Sequence, residues 1–227
     1  MTLAYIVHLA NYSDGVLYVL AALFLVAVAI LLDRLWYLRR AILRGGMMVR
    51  RVAGMGHLSV NDIEMLRNTA GRQPEALLLE TTLQHLGRAD AEAMAARMDE
   101  AIMLIVPRLD RRLWILDTIV TLAPLLGLFG TIVGMFHAFH VLANPGHAPA
   151  EVTGGVADAL AATGCGILIA ILGLAAFNML SNQVRLILHQ METLKTMVLN
   201  RTDGAPVIPL SRSGGRGVRR EAVSAAE

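Results

Sequence analysis

The chain reads GGVADALAATGCGILIAILGLAAFNML over residues 154–180, and Asp158 is the one charged side chain in that run. A helix needs roughly 20 apolar residues to cross a hydrocarbon core of about 30 Å. The run meets that length and predicts a membrane-spanning helix. A carboxylate within such a helix costs a few kcal/mol or more, so by default it marks a route for ions or protons. The stretch therefore predicts a membrane protein with a transport role.

The composition of the whole chain agrees with that class. Hydrophobic residues make up 56% of the 227 residues and charged residues 17%, and the mean hydropathy is +0.56. These values are too apolar for an ordinary soluble domain. The formal net charge is +2, but the basic residues are confined to particular segments, which indicates membrane topology rather than nucleic-acid binding. The single cysteine, Cys165, excludes an internal disulfide.

Three apolar segments predict three membrane-spanning helices: residues 16–38, 114–140 and 153–184. No Lys or Arg precedes Arg34, and none lies between Arg112 and Arg185. Basic residues concentrate in cytoplasmic loops, so the N-terminus is predicted outside and the C-terminus inside. The basic flank follows the first segment, which is the reverse of a cleavable signal peptide.

The predicted fold class is an all-α integral membrane protein. The same topology also predicts where the segments outside the spans lie. Helices two and three are expected to extend into the cytoplasm. The predicted segments outside the spans are an external N-terminus (1–15), a cytoplasmic helical region (39–113), an external loop (141–152), the cytoplasmic end of the third helix (185–201) and a flexible cytoplasmic tail (202–227).

The cytoplasmic region carries helix signals of its own. Ser59 followed by Asp62 resembles a capping box, Pro74 suits a first helical position, and Gly87 suits a stop. A stripe at spacings of three and four then predicts an amphipathic helix that carries on towards the second span: Met94, Met98, Ala101, Ile102, Ile105 and Leu109.

Small residues mark the second and third spans. They let helix backbones approach closely in lipid, and the predicted packing positions are Gly127, Gly130, Gly134, Gly155, Gly164 and Gly166. Pro124 supplies no N–H and is expected to kink the second helix.

Two motifs resemble a known family. Residues 123–135 read APLLGLFGTIVGM and residues 157–163 read ADALAAT, and together they resemble the paired signature of the MotA/TolQ/ExbB proton-channel family. The resemblance is strong over residues 116–182. Three spans with a large cytoplasmic segment between the first and second are similar to the ExbB and TolQ branch, whereas the flagellar stator subunits have four.

The resemblance implies a function and partners. It implies that the chain lies in the bacterial inner membrane. Five copies of it would surround the membrane helices of two copies of a smaller ExbD- or TolR-like protein. Proton flow would move those central helices, and the motion would pass to TonB or TolA and onward to the outer membrane.

The resemblance also implies roles for particular residues. Asp158 matches the acidic residue of the third span, Thr163 the threonine five positions later, and Thr131 the threonine of the second span, so all three are assigned to a proton pathway. The sequence departs from the family pattern at two points. Asp158 stands where Glu is usual and is one methylene shorter, and Leu172 stands where a proline is common.

The residues alone leave simpler alternatives open. Asp158 could sit in the first turn of the third span, where the helix dipole stabilises a carboxylate. Each threonine hydroxyl could bond to a carbonyl of its own helix. Asp158 and Thr163 are separated by about 140° around a helix, so they do not both face one axis.

The residues are also compatible with other functions. His137 and His140, with His147 beyond, have a spacing that could bind a metal, so a metal-responsive transporter is one alternative and a non-conducting membrane scaffold is another. The sequence shows no catalytic constellation and no phosphate-binding loop. No metal site, cofactor or enzymatic activity is therefore predicted.

Overall fold

The computed structural model describes residues 15–87, 89–142 and 149–202, and the side chains of 141, 142 and 149–152 are not described. Three parts of the predicted organisation lie outside the described residues: residues 1–14 of the external N-terminus, residues 143–148 of the external loop, with His147, and residues 203–227 of the flexible tail. Six helices are described: α1 Val16–Ala53, α2 Val60–Ala70, α3 Pro74–His85, α4 Ala91–Leu109, α5 Leu113–Leu142 and α6 Pro149–Thr202.

Three of these helices, α1, α5 and α6, are long and apolar enough to cross a membrane. No strand occurs within the described ranges, so the prediction of an all-α fold with three spanning helices is confirmed. The 38 residues of α1 and the 54 of α6 correspond to about 57 Å and 81 Å at the helical rise per residue. Both therefore extend well beyond the hydrocarbon core.

The extended ends of α1 and α6 pack with the three short helices. We call this assembly, residues 39–109 and 185–202, the extramembrane bundle. Along α6 the buried side chains recur at spacings of four and three, which is typical of a helix seam: Leu180, Val184, Ile187, Met191, Leu194 and Val198. The seam lets α6 contact α1, α3, α4 and α5, so one helix joins the membrane part to the bundle.

The local signals in the bundle match the structure. The Ser59 hydroxyl accepts a hydrogen bond from the Asp62 backbone N–H at 3.3 Å, and the Ser59 N–H donates to the Asp62 carboxylate at 3.0 Å. This is the predicted capping box at the start of α2. Pro74 occupies the first position of α3. All six residues of the predicted α4 stripe are buried.

One connection differs from the expectation. The stripe of α4 does not run straight into the second membrane helix, because α4 ends at Leu109 and α5 begins at Leu113. Arg112, in the turn, has a left-handed backbone with φ of 69°, and its guanidinium donates to the Asp33 carboxylate at 2.9 Å. Arginine rarely adopts this conformation, so residue type alone does not predict the turn. The two longest helices are α1 and α6, whereas α5 has 30 residues.

Candidate functional site

The glycines of α5 and α6 bring the two backbones into direct contact. A Cβ atom added to Gly166 would collide with the carbonyl oxygen of Ala123 and would lie 3.1 Å from the Cα of Gly127. A Cβ added to Gly127 would lie 3.0 Å from both the Ala162 oxygen and the Thr163 Cα. Because backbone atoms cannot move aside cheaply, residues larger than glycine do not fit here.

The contact continues towards the far end of the two helices. A Cβ on Gly134 would lie 2.7 Å from the Cβ of Ala159 and 3.6 Å from the oxygen of Gly155, which is itself buried. A Cβ on Gly130 would lie 3.1 Å from the side chain of Val16. Gly130 therefore stands where α1, α5 and α6 meet inside one subunit.

The two threonines have different partners. The Thr163 hydroxyl leaves its own helix and donates to the carbonyl oxygen of Gly127 at 2.8 Å. The Thr131 hydroxyl donates to Leu128 of its own helix at 2.6 Å, the ordinary bond for a hydroxyl in a membrane helix. Thr163 thus ties α6 to α5 at their closest approach. Gly164 lies on the opposite side of α6, and no atom lies within 4 Å of a Cβ added there.

Asp158 lies beside this contact, one residue before Ala159. Its side chain is half-buried, and it makes no hydrogen bond or ion pair with the rest of the described chain. Because α6 begins at Pro149, nine residues separate Asp158 from the helix start, about 13 Å along the axis. The helix dipole acts over the first turn, so it does not account for this carboxylate.

Neither Pro124 nor Leu172, which stands where the family commonly has proline, interrupts its helix. The described helix α5 is continuous through Pro124, and α6 is continuous through Leu172. The bend expected at Pro124 stays a prediction. On the outer surface of α5, large apolar side chains are exposed: Leu125, Leu128, Phe129, Ile132, Phe136 and Phe139. Such a surface suits lipid or further helices.

The similarity of this chain to known proteins covers the same two helices. Residues 70–193 match the MotA/TolQ/ExbB proton channel family. The chain belongs to this family. The match covers α3, α4, α5 and most of α6, and it includes the Gly127–Gly166 contact and Asp158.

Individual relatives of the MotA/TolQ/ExbB family are similar over shorter stretches. TolQ of the Tol-Pal system of Haemophilus influenzae is 37% identical over 91 residues, 40% of each protein. The biopolymer transport protein ExbB of Neisseria gonorrhoeae is 29% identical over 117 residues, 49% of this chain and 53% of its own length. A putative ExbB-like protein of Synechocystis is 29% identical over 174 residues, 73% of this chain and 66% of its own. The chain thus spans about two fifths to a half of the TolQ and ExbB relatives.

The histidines do not form a metal centre in the described part of this MotA/TolQ/ExbB protein. No group of three His, Cys, Asp or Glu side chains within the described ranges is placed to hold a metal ion. The rings of His137 and His140 stand 6.1 Å and 6.3 Å from the ring of Phe136. The third histidine, His147, lies outside the described residues, and the side chain of Glu151 is not described.

Two charged residues of this family member are buried although no sequence pattern indicates it. Arg34 is 5% exposed and lies over the ring of Tyr37, 5.6 Å from its centroid. Glu75 is 1% exposed in the extramembrane bundle. In the sequence, Arg34 indicates only the topology of the first span. Glu75 follows Pro74 in a first helical turn, where an acidic residue is ordinary, so nothing in the sequence signalled its burial.

Proposed function

We propose that this chain is the proton-conducting subunit of an ExbB/TolQ-like energy-transducing complex of the bacterial inner membrane. The observation that carries the proposal is the half-buried Asp158 carboxylate, which has no hydrogen-bond or ion-pair partner within the described chain. A carboxylate held in apolar surroundings needs either a partner or a proton. In the assembled complex, a proton from the external water would neutralise Asp158, and a helix of another chain would supply its partner.

The partner in this proposal is an ExbD- or TolR-like protein with a single span. Asp158 lies beside the α5–α6 contact and would face the central helices of that partner in the assembled complex. Each proton that binds and leaves Asp158 would change the charge next to the partner helix. The resulting movement would serve TonB- or TolA-dependent processes at the outer membrane, and the proposal assigns no enzymatic reaction or cofactor to this chain.

The membrane potential is large enough for this task. Moving one proton across 100 mV is worth about 2.3 kcal/mol. A shift between two helix packings that differ by a few kcal/mol therefore needs only a small number of protons. Thr163 and Thr131 would lie along the same pathway, with Thr163 fixing α6 against α5 beside it.

The orientation in the proposal places the N-terminus and residues 143–148 outside and the extramembrane bundle in the cytoplasm. We expect a cysteine introduced as His147→Cys to react with an impermeant thiol reagent in intact spheroplasts, and one introduced as His57→Cys to stay unlabelled. Both variants need a Cys165→Ser background, because Cys165 is exposed. Labelling at 57 without labelling at 147 would reverse the orientation and the direction of proton flow.

Two observations support the proposal that the subunits assemble: the exposed apolar surface of α5 and the Asp158 carboxylate, which has no partner within the described chain. Native mass spectrometry of the protein extracted in mild detergent is expected to show a closed homo-oligomer, with five copies as the main species. The co-expressed single-span protein is expected to remain bound. A stable monomer that does not retain the partner would contradict the proposal, whereas an assembled oligomer that moves no protons would favour a scaffold.

A further inference from the structure

A second buried carboxyl group lies in the extramembrane bundle, and the proposed function makes no use of it. Glu75, the second residue of α3, is 1% exposed, and its Oε1 atom has no hydrogen-bond partner. Burial raises the pKa of the Glu75 carboxyl above its ordinary value, and the opposing effect of its own backbone N–H is smaller. Burial therefore favours the neutral form of this carboxyl group relative to that of an exposed glutamate.

The carboxyl group lies where three helices meet. A Cβ atom added to Gly45 of α1 would collide with Oε1 of Glu75 and would lie 2.8 Å from Oε1 of Gln190 on α6. The two side-chain oxygens therefore share the space that glycine leaves open on α1. Glu75 thereby brings α3 against both α1 and α6.

This junction has too few hydrogen-bond donors for its acceptor oxygens. The Gln190 amide nitrogen donates to the backbone oxygen of Ile42 at 3.4 Å, while Oε1 of Gln190 has no donor. Turning the amide round would give Glu75 a donor, but it would place an oxygen against the Ile42 carbonyl. In either orientation an acceptor oxygen at this junction is left without a donor, unless the carboxyl group carries a proton.

Charged neighbours do not replace that proton. Arg44 and Arg51 of α1 line a cavity beside Glu75, but neither forms an ion pair with its carboxylate. On α6, the titratable neighbours of Gln190 are His189 and Glu192, and both are exposed. Two ion pairs lie among the helices of the bundle, and neither involves Glu75: Arg67 with Glu80 at 3.1 Å and Asp99 with Lys195 at 2.5 Å.

We propose that Glu75 is a proton-binding site that fastens α3 to α1 and α6 when its carboxyl group is protonated. The O–H group donates to Oε1 of Gln190, and every polar atom at the junction is then satisfied. Loss of the proton to water through the adjacent cavity leaves a buried carboxylate, which is stable only if α3 moves and lets water or Arg44 reach it. The site makes the bundle sensitive to pH independently of Asp158.

The expected pH dependence has a definite sign. Below the ordinary pKa of glutamate both the folded and the unfolded chain hold the proton, and Glu75 has no differential effect. As the pH rises towards the raised pKa of the folded state, the unfolded chain loses its proton first, so stability falls. Within that window each pH unit changes the folded-to-unfolded ratio by up to about tenfold.

The test compares the full-length parent, Glu75→Gln and Glu192→Gln in detergent between pH 5 and pH 8. Gln at position 75 keeps a donor for Gln190 and cannot ionise. We expect the apparent Tm of Glu75→Gln to rise relative to the parent by a few degrees per pH unit through the window. The Glu192→Gln control is expected to follow the parent. A constant Tm difference between Glu75→Gln and the parent at every pH would overturn the proposal.

Infrared spectroscopy supplies a second readout. The parent is expected to show the C=O band of a protonated carboxyl group that Glu75→Gln lacks. In Gln190→Leu, where the O–H loses its acceptor, that band is expected to move to higher frequency, so the proposal stays testable if Glu75→Gln does not fold. A Glu75 that is ionised throughout this pH range, with no such band and no effect of Gln190→Leu, would contradict it.

Discussion

Asp158→Asn is expected to abolish all proton-driven work of the complex while leaving the protein at its normal abundance and oligomeric state. Asparagine has nearly the same size as aspartate and keeps hydrogen-bonding atoms, but it does not titrate. Asp158 is half-buried and unpaired within the described chain, so its neutral replacement removes charge from apolar surroundings and is not expected to destabilise the helix. The measurement is energised uptake or envelope integrity in cells that carry the variant as their sole copy.

Two controls separate protonation from packing. Asp158→Glu restores a titratable group of the kind that the family resemblance leads one to expect, and substantial activity should remain. Asp117→Asn changes an exposed carboxylate on α5 and should behave like the parent. If Asp158→Asn supported normal work, the residue would be structural and the scaffold function would be the better account.

Gly166→Leu is expected to have the second large effect, on the fold of the subunit itself. The side chain would enter the space occupied by the Ala123 carbonyl and the Gly127 backbone, and backbone atoms there cannot be displaced without separating α5 from α6. Overpacking of this kind costs about 1–3 kcal/mol or more. We expect the apparent Tm in detergent to fall by about 2–12 °C, with loss of protein from the membrane.

The matched control for this variant is Gly164→Leu. It makes the same substitution two residues earlier, at a position with no atom within 4 Å of the added Cβ. Stability of the isolated subunit should be unchanged in Gly164→Leu. Equal losses in the two variants would mean that close α5–α6 packing does not limit stability.

Much of the fold could be predicted from sequence because the signals are local. The spanning helices follow from apolar length, the start of α2 from Ser59 and Asp62, and the buried face of α4 from the spacing that begins at Met94. The candidate site also had local signals, since Asp158 is a lone charge in an apolar run and small residues recur in the same two helices.

Other features depend on contacts between distant segments. The Thr163 hydroxyl bonds to Gly127, 36 residues away, whereas the sequence favoured a bond within its own helix. The burial of Glu75 depends on Gly45 and Gln190, which lie on two other helices. Periodicity and capping rules describe one helix at a time, so they do not show such junctions.

The most direct measurement of the central claim is proton uptake into liposomes that contain this protein and its single-span partner, driven by an imposed membrane potential and followed with an internal pH indicator. The proposal predicts uptake for the parent with its partner, none for Asp158→Asn, and substantial uptake for Asp158→Glu. Uptake by Asp158→Asn equal to that of the parent would contradict it.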